Sequence, residues 1–195
     1  MAIDPMQYEP KGDKKNSEFF ETYKSKIYER RRSAGLDDLI GHIRALVVQV
    51  EQGDALAYLQ ELYLMGPYRF NAVYQNATHR IFILTSQPEF PRLIVMEPLA
   101  SNYMDEITML NRLYPLSAKK PNARYVGEIF HTEDVKETCK ALESHNIRFN
   151  YHHETKNPFL TDSRVVFSFP SDYTSNRIGY CQVDIEDFDA LQLGE

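Results

Sequence analysis

The segment "RYVGEIFHTEDVKETCKALESHNIRFNYHH", residues 124–153, sets the architecture expected for this chain. Its first eight residues favour a strand, and the segment from Glu133 to His145 has apolar residues at helical spacing. A second strand is predicted from Ile147, and two further β-rich runs, "RVVFSF" and "RIGYCQVD", follow it. The predicted order of elements is therefore β-α-β-β-β.

The same order occurs earlier, between residues 40 and 100. The runs are the strand "GHIRALVVQV", the helix "GDALAYLQELYLMG" and the strands "YRFNAVYQ", "RIFILT" and "RLIVME". The triplet RFN follows the first helix at residues 69–71 and follows the second at residues 148–150. Because an internal repeat changes the prediction for the whole chain, we expect an α+β protein. Two tandem βαβββ modules would form a curled mixed sheet around a cleft.

The predicted organisation has further segments outside the two modules, which cover residues 40–100 and 124–186. Residues 1–16 are expected to be a leader and a disordered N-terminus, and residues 17–35 an amphipathic helical arm. A connecting helix and linker cover 101–123, and an acidic tail covers 187–195. The arm's apolar stripe needs burial, so we expect it to pack on another element or on a second chain, as in a homodimer. The stripe consists of Phe19, Phe20, Tyr23, Ile27 and Tyr28.

Composition limits the class of partner. The 195 residues carry a formal net charge of −6, which argues against a basic groove for nucleic acid. No run of about 18 apolar residues is present, so no membrane association through a spanning helix is expected. Two cysteines, Cys139 and Cys181, are too few for a disulfide framework, and no secretory signal is recognisable. We therefore expect a reduced, cytoplasmic protein without a nucleic-acid or membrane partner.

The first module contains an acid at an unusual place. Glu97 ends the apolar run at residues 93–96 and precedes Pro98, which cannot continue a central strand. An ionised carboxylate in a dry site is costly unless it is paired or binds a metal. Glu97 is therefore either a solvated strand-end carboxylate or part of a site.

Residues 40–186 resemble the vicinal oxygen chelate superfamily, which includes glyoxalases, methylmalonyl-CoA epimerases, extradiol dioxygenases and bleomycin-resistance proteins. The resemblance rests on the repeated element order and on two segments. "RLIVMEPL" is similar to the fourth strand of an epimerase-type first module, and residues 124–149 are similar to the start of a second module. The resemblance implies a glyoxalase- or epimerase-like enzyme acting on a small molecule in one enclosed cleft. The alternative is a non-catalytic relative that binds a small molecule or a protein partner there, with a degenerate metal site.

The resemblance also implies a divalent metal, with one ligand from the first strand and one from the fourth strand of each module. Glu97 lies at the fourth-strand position of the first module, and a carboxylate suits a hard or borderline metal. His42 is the first-strand candidate, and Gln182 or Asp184 is the fourth-strand candidate of the second module. The remaining position falls near Tyr125, which departs from the family pattern.

Glu128, inside the strand segment "GEIF", is a second acid in an apolar context. If Glu97 and Glu128 share one cleft, their pKa values could separate, and the pair could do acid–base chemistry. These two residues are the catalytic candidates. A position for Glu128 at the rim of the barrel is the alternative.

Overall fold

A computed structural model describes residues 14–75, 79–100, 123–150, 165–174 and 176–182. Over these ranges no helix has the length and apolar character needed to cross a membrane. The helices are α1 (Lys14–Ser33), α2 (Leu36–Leu39), α3 (Ala55–Met65) and α4 (Val135–Glu143). The strands are β1 (Ile40–Val50), β2 (Arg69–Gln75), β3 (His79–Thr85), β4 (Arg92–Pro98), β5 (Ala123–Thr132), β6 (Phe149–Asn150), β7 (Val165–Ser168) and β8 (Arg177–Cys181).

Parts of the predicted organisation lie outside these residues. They include nearly all of the leader, the connecting segment 101–122, Asp184 and the acidic tail. The helical arm is present as α1, and its Tyr23 side chain is 42% exposed. The side chains of Phe19, Phe20 and Ile27 are outside the description, so the packing of the apolar stripe stays a prediction.

Within the described ranges, eight strands form one mixed sheet in the order β2-β3-β4-β1-β5-β8-β7-β6. The two longest strands, β1 and β5, lie antiparallel at its centre. Each has a parallel neighbour from its own half of the chain, β4 beside β1 and β8 beside β5. The remaining pairs are antiparallel and extend the sheet to both edges. The predicted mixed sheet with few helices is therefore confirmed.

The sheet has two faces with different contents. On the helix face, α3 covers the first half and α4 covers the second, and each half has its own apolar cluster. On the opposite face, which we call the inner face, a single apolar cluster takes side chains from both halves. Successive side chains along β1 point to opposite faces, so Val48 and Val50 lie on the helix face and Ala45 and Val47 lie on the inner face. Burial on both faces explains why the central strands are almost continuously apolar in sequence.

Helix α4 is set by a local signal and by packing on the second half. The Asp134 side chain accepts a hydrogen bond from the backbone N–H of Glu137 at 3.0 Å, as an N-cap does. On the buried side of the helix, Cys139 packs with Phe149 and Tyr180. Burial raises the pKa of the Tyr180 phenol to about 12. The cap and the buried cluster together hold α4 on the helix face.

The C-terminal end of α1 is fastened to the second half of the chain. Arg30 donates from Nη2 to the backbone oxygen of His145, just beyond α4, at 3.0 Å. Arg31 forms an ion pair with Asp37 of α2 at 2.7 Å. Positive side chains near a helix C-terminus also interact favourably with the helix dipole. The end of α1 is thus held by contacts with α2 and with the turn after α4.

A glycine of β5 lies directly against the backbone of β8. A Cβ at Gly127 would overlap the backbone carbonyl oxygen of Arg177, its partner across the parallel pair. Gly41 is less constrained, because its nearest neighbour would be the Nδ1 atom of the His131 side chain at 3.3 Å. A side chain can rotate away, whereas the backbone of a paired strand cannot.

We therefore expect Gly127→Ala to lower the free energy of unfolding by about 1–3 kcal/mol, as overpacking substitutions do. Denaturant unfolding followed by circular dichroism measures this change. Gly41→Ala is the matched control and should cost less than about 1 kcal/mol, since only a side chain must move. Equal losses in the two variants would contradict the close approach at Gly127.

Candidate functional site

The acid at the end of β4 is bound by groups of the first half. Glu97 is 6% exposed, and its side chain lies on the helix face, the face on which Val95 packs. Its Oε1 accepts hydrogen bonds from the backbone N–H groups of Gly53 at 3.0 Å and Ala55 at 3.2 Å. Its Oε2 accepts from Nη1 of Arg80 at 3.2 Å. The carboxylate therefore has three donors from this chain.

The beginning of α3 explains why the sequence has an acid at this position. Asp54 precedes the helix but makes no side-chain capping bond, so the first N–H groups of α3 need another acceptor. Glu97 supplies it, and a negative charge at a helix N-terminus is favoured by the helix dipole. Arg80 adds an opposite charge, but its side chain is 43% exposed, so solvent screening reduces the strength of this ion pair. Glu97 thus acts as a cap for α3 that is supplied by a distant part of the chain.

A cavity of about 570 Å³ borders the Glu97 carboxylate on the helix face. Helix α3 contributes Leu56 and Leu59 to its wall, and β3 contributes Phe82 and Arg80. The carboxylate at its end is already hydrogen-bonded. The cavity is therefore an apolar recess that ends at a structural ion pair.

The first-strand metal candidate lies far from Glu97. In the parallel register of β1 and β4, Met96 is paired with Gln49, so Glu97 lies at the level of Val50. His42 is eight residues earlier on β1, which corresponds to about 26 Å along an extended strand. One metal ion cannot bind both side chains at that separation.

His42 belongs to a group of polar side chains at the opposite end of the sheet. Its ring stacks on that of His131, with the ring centroids 6.1 Å apart. Gln182 follows β8 directly and donates from Nε2 to the backbone oxygen of Glu133 at 2.8 Å. The register of β1, β5 and β8 brings His42 and Gln182 to the same end of the sheet. Asp184 is beyond the described residues.

Glu128 has a partner of its own. The Tyr125 hydroxyl donates to Oε1 of Glu128 at 2.7 Å. Burial and this hydrogen bond raise the pKa of Tyr125. Glu128 is paired with Leu46, four residues from Val50, so about 13 Å along β1 separates it from the level of Glu97. The structure does not bring the two acids into one acid–base pair.

A divalent metal does not fit the surroundings of Glu97. Both carboxylate oxygens already accept hydrogen bonds, and a cation there would face the Arg80 guanidinium and the positive end of the α3 dipole. Within the part of the chain that the structure describes, no group of three His, Cys, Asp or Glu side chains is arranged to hold a metal. A ligand set that includes Asp184 stays a prediction.

Sequence reasoning missed a buried amide on the inner face. Gln49 is 0% exposed, and neither its Nε2 nor its Oε1 has a hydrogen-bond partner among the described residues. Its neighbours across the sheet are Met96 on β4 and Arg124 on β5. Arg124 is also buried and forms an ion pair with Glu51 at 2.9 Å. The sequence contains a signal for this residue, because Gln49 is the one polar residue in the apolar run "LVVQV". Glu97 is marked in the same way, since it ends the apolar run in "RLIVME".

Two further polar side chains are buried on this face. His79 is fully buried on β3, two residues before Ile81 of the inner-face cluster. Arg177 lies on β8, four residues before Cys181 of the same cluster, and burial lowers the pKa of its guanidinium. The inner face therefore combines a large apolar cluster with a few buried polar groups, which is the usual composition of a small-molecule site.

Comparison with known proteins gives a likeness of fold. No protein-family model matches the sequence, and no curated protein is significantly similar to it. The methylmalonyl-CoA epimerase from Mycobacterium tuberculosis superposes with a TM-score of 0.53 at 15% identity, over 74% of this chain and 89% of that one. A variant of the Streptomyces coelicolor methylmalonyl-CoA epimerase, in complex with 2-nitronate-propionyl-CoA, gives 0.52 at 16% identity, over 72% and 96%. A methylmalonyl-CoA epimerase in complex with methylmalonyl-CoA and NH4+ gives 0.52 at 16% identity, over 72% and 93%. Identities this low establish a shared fold alone, so the chain has the curled mixed-sheet fold of these epimerases, as the sequence resemblance predicted.

Proposed function

We propose that the protein acts on a small molecule held on the inner face of the curled sheet, as glyoxalase- and epimerase-like proteins do. The observation that carries this proposal is the buried Gln49 amide, which finds no hydrogen-bond partner in the described ranges. Buried polar groups in native proteins are nearly always hydrogen-bonded, and an exception calls for a ligand, a water molecule or a functional role. A ligand that offers both an acceptor and a donor would satisfy this amide.

The position of Gln49 supports a site shared by the two halves. It lies on β1 beside Arg124 of β5, at the central antiparallel pair. A ligand bound there would contact both halves of the chain. An amide and a guanidinium together favour a carbonyl or carboxylate oxygen on the ligand. We therefore assign the ligand to the small carboxylates and acyl thioesters.

We also propose that the two halves of the chain are tandem modules, related by a pseudo-two-fold axis that passes between β1 and β5. The support is the repeated strand–helix–three-strand order and a strand order that is mirrored about the central pair. The acyl-thioester class is supported by two structures of similar fold that hold methylmalonyl-CoA or 2-nitronate-propionyl-CoA.

A second candidate function is a non-catalytic binding protein, and the contacts of Glu97 favour it. The carboxylate that the resemblance assigns to a metal is bound instead to α3 and Arg80. A relative that has lost this ligand would keep a cleft for a small molecule without metal-dependent chemistry. If the protein binds a divalent metal, we propose that His42, Gln182 and Asp184 hold it without Glu97.

An assay with methylmalonyl-CoA distinguishes the two candidate functions. An epimerase-like enzyme should exchange the proton on C2 of this thioester for deuterium when the assay is run in heavy water. Nuclear magnetic resonance measures this exchange, once with added Co²⁺ and once without it. A non-catalytic relative binds the thioester in calorimetry without exchange. Absence of both binding and exchange would remove the acyl-thioester class.

The Gln49 site predicts an uncommon combination of effects. Gln49→Met should raise the free energy of unfolding by about 1–3 kcal/mol, because an apolar side chain of similar size replaces an unsatisfied buried amide. The same change should abolish calorimetric binding of methylmalonyl-CoA. Gln87→Met, at an exposed amide in the turn before β4, should stay within about 0.5 kcal/mol of wild type. A Gln49→Met protein that is less stable than wild type and still binds would contradict the site.

The capping role of Glu97 predicts a loss of stability without a loss of metal. Glu97→Gln should lower the free energy of unfolding by about 1–2 kcal/mol, because it removes a negative charge from the α3 N-terminus and from Arg80. Glu128→Gln, at an acid bonded to a half-exposed tyrosine, should cost about 0.5 kcal/mol or less. Metal analysis of protein purified without chelator should give the same content for wild type and both variants. Lower metal content in Glu97→Gln alone would support the ligand role instead.

A further inference from the structure

Three arginines of the described strands lie on the inner face of the sheet. In the pairing of β4 with β1, Arg92 is opposite Ala45, which belongs to the inner-face cluster. Arg124 of β5 is opposite Gln49, the buried amide of the same face. The inner face also carries Arg177 of β8, as its spacing along the strand from the cluster shows. We call Arg92, Arg124 and Arg177 the inner-face arginines.

The acids of the described strands lie on the other face. These strands contain two acids, Glu97 and Glu128. Glu97 lies on the helix face together with Val95, and Glu128 is opposite Leu46, which packs on the helix-face cluster of the first half. Among the described strand residues, the inner face therefore has arginines and no acid. A recessed face lined by one sign of charge attracts ligands of the opposite sign.

Two of the inner-face arginines are close enough to act on one small ligand. Arg177 is opposite Gly127 of β5, and Gly127 is opposite Val47, two residues before Gln49 on β1. One strand spacing across the sheet and two residues along it give about 8 Å between the Cα atoms of Arg124 and Arg177. Gly127 adds no side chain between them. Because arginine side chains are long and end in a planar fork, two of them at this separation can bind two acidic groups of a short molecule.

Both of these guanidinium groups are buried, which favours an anionic ligand. Arg124 is 7% exposed and Arg177 is 8% exposed. A buried charge is costly unless an opposite charge accompanies it. Arg124 pairs with Glu51, whose side chain is 40% exposed and therefore reaches towards solvent. A guanidinium has five N–H donors, so one that already binds a protein acceptor can also donate to a ligand.

We propose that the ligand of the inner face is a small carboxylate with a second acidic group, which is a further carboxylate or a phosphate. This inference rests on the proposed function, because it uses the same site. The Gln49 amide and Arg124 bind the first carboxylate or acyl oxygen, and Arg177 binds the second acidic group. Bidentate, charge-assisted hydrogen bonds from arginine suit carboxylate and phosphate oxygens alike. The substrate class is therefore that of dicarboxylates and phosphorylated carboxylates.

Two matched pairs of ligands test the second acidic group by calorimetry on the full chain. Malonate differs from propionate by one carboxylate, and phosphoglycolate differs from glycolate by one phosphate. Wild type should bind one of the two diacids at least tenfold more tightly than the matched monocarboxylate. The pair that shows this preference identifies the second group as a carboxylate or as a phosphate.

Variants of Arg177 locate the preference. Arg177→Met should lower the affinity for the preferred diacid at least tenfold and leave the affinity for the monocarboxylate within about threefold, because only the diacid reaches this side chain. Arg177→Lys keeps the positive charge without the planar fork, so it should lose less affinity than Arg177→Met. Arg69→Met removes an exposed arginine at the start of β2 and is the matched control, which should bind both ligands as wild type does.

The outcomes distinguish this inference from the proposed function. Equal affinities of wild type for diacid and monocarboxylate overturn the inference, as does a preference that Arg177→Met retains. If no ligand of the panel binds at millimolar concentrations but methylmalonyl-CoA does, the inference fails and the proposed function stands. Failure of Gln49→Met to weaken either ligand counts against the proposed function instead. If Arg177→Met loses the far-ultraviolet spectrum of the folded protein, the wild-type preference and Arg177→Lys decide.

Discussion

The antiparallel pairing of β1 with β5 is the constraint on which the other features depend. It is the ladder that joins the two halves of the sheet, and it places a parallel neighbour on each side. Because side chains alternate along both strands, the same ladder assigns each residue to the helix face or to the inner face. The inner-face cluster exists because Val47 and Ile129, from different halves, are brought to one side of this pair. A shift of one residue in the ladder would exchange the two faces.

The sequence predicted the strands and their order along the chain better than it predicted the face of the sheet on which each side chain lies. The apolar runs and the helical spacing of apolar residues are local signals, and they located the elements. The face on which Glu97 lies has no local signal, because β4 is buried on both sides and its sequence does not alternate. The donors that bind Glu97 begin more than 40 positions earlier in the chain, at Gly53. Only the folded register brings them together.

Glu97 and Gln49 show why a polar residue in an apolar strand is an ambiguous signal. Both interrupt apolar runs, and both are buried. Glu97 is surrounded by donors, so its carboxylate stabilises the start of a helix. Gln49 lies on the other face between Met96 and Arg124, where no described group satisfies its amide. The sequence marks both positions as unusual, and only the alternation of the strands shows which one faces the inner cluster.

The central ladder also has a kinetic consequence. It pairs residues about 80 positions apart, such as Val48 with Tyr125, so a large loop must close before the pairing forms. Helices α3 and α4 are local and can form early, whereas the inner-face cluster has no complete wall until β1 meets β5. Chains dominated by such distant pairings fold slowly compared with helical bundles of the same size. The rate-limiting step of folding should therefore be the meeting of the two halves, and substitutions in the β1–β5 pair should slow folding more than substitutions in the helices.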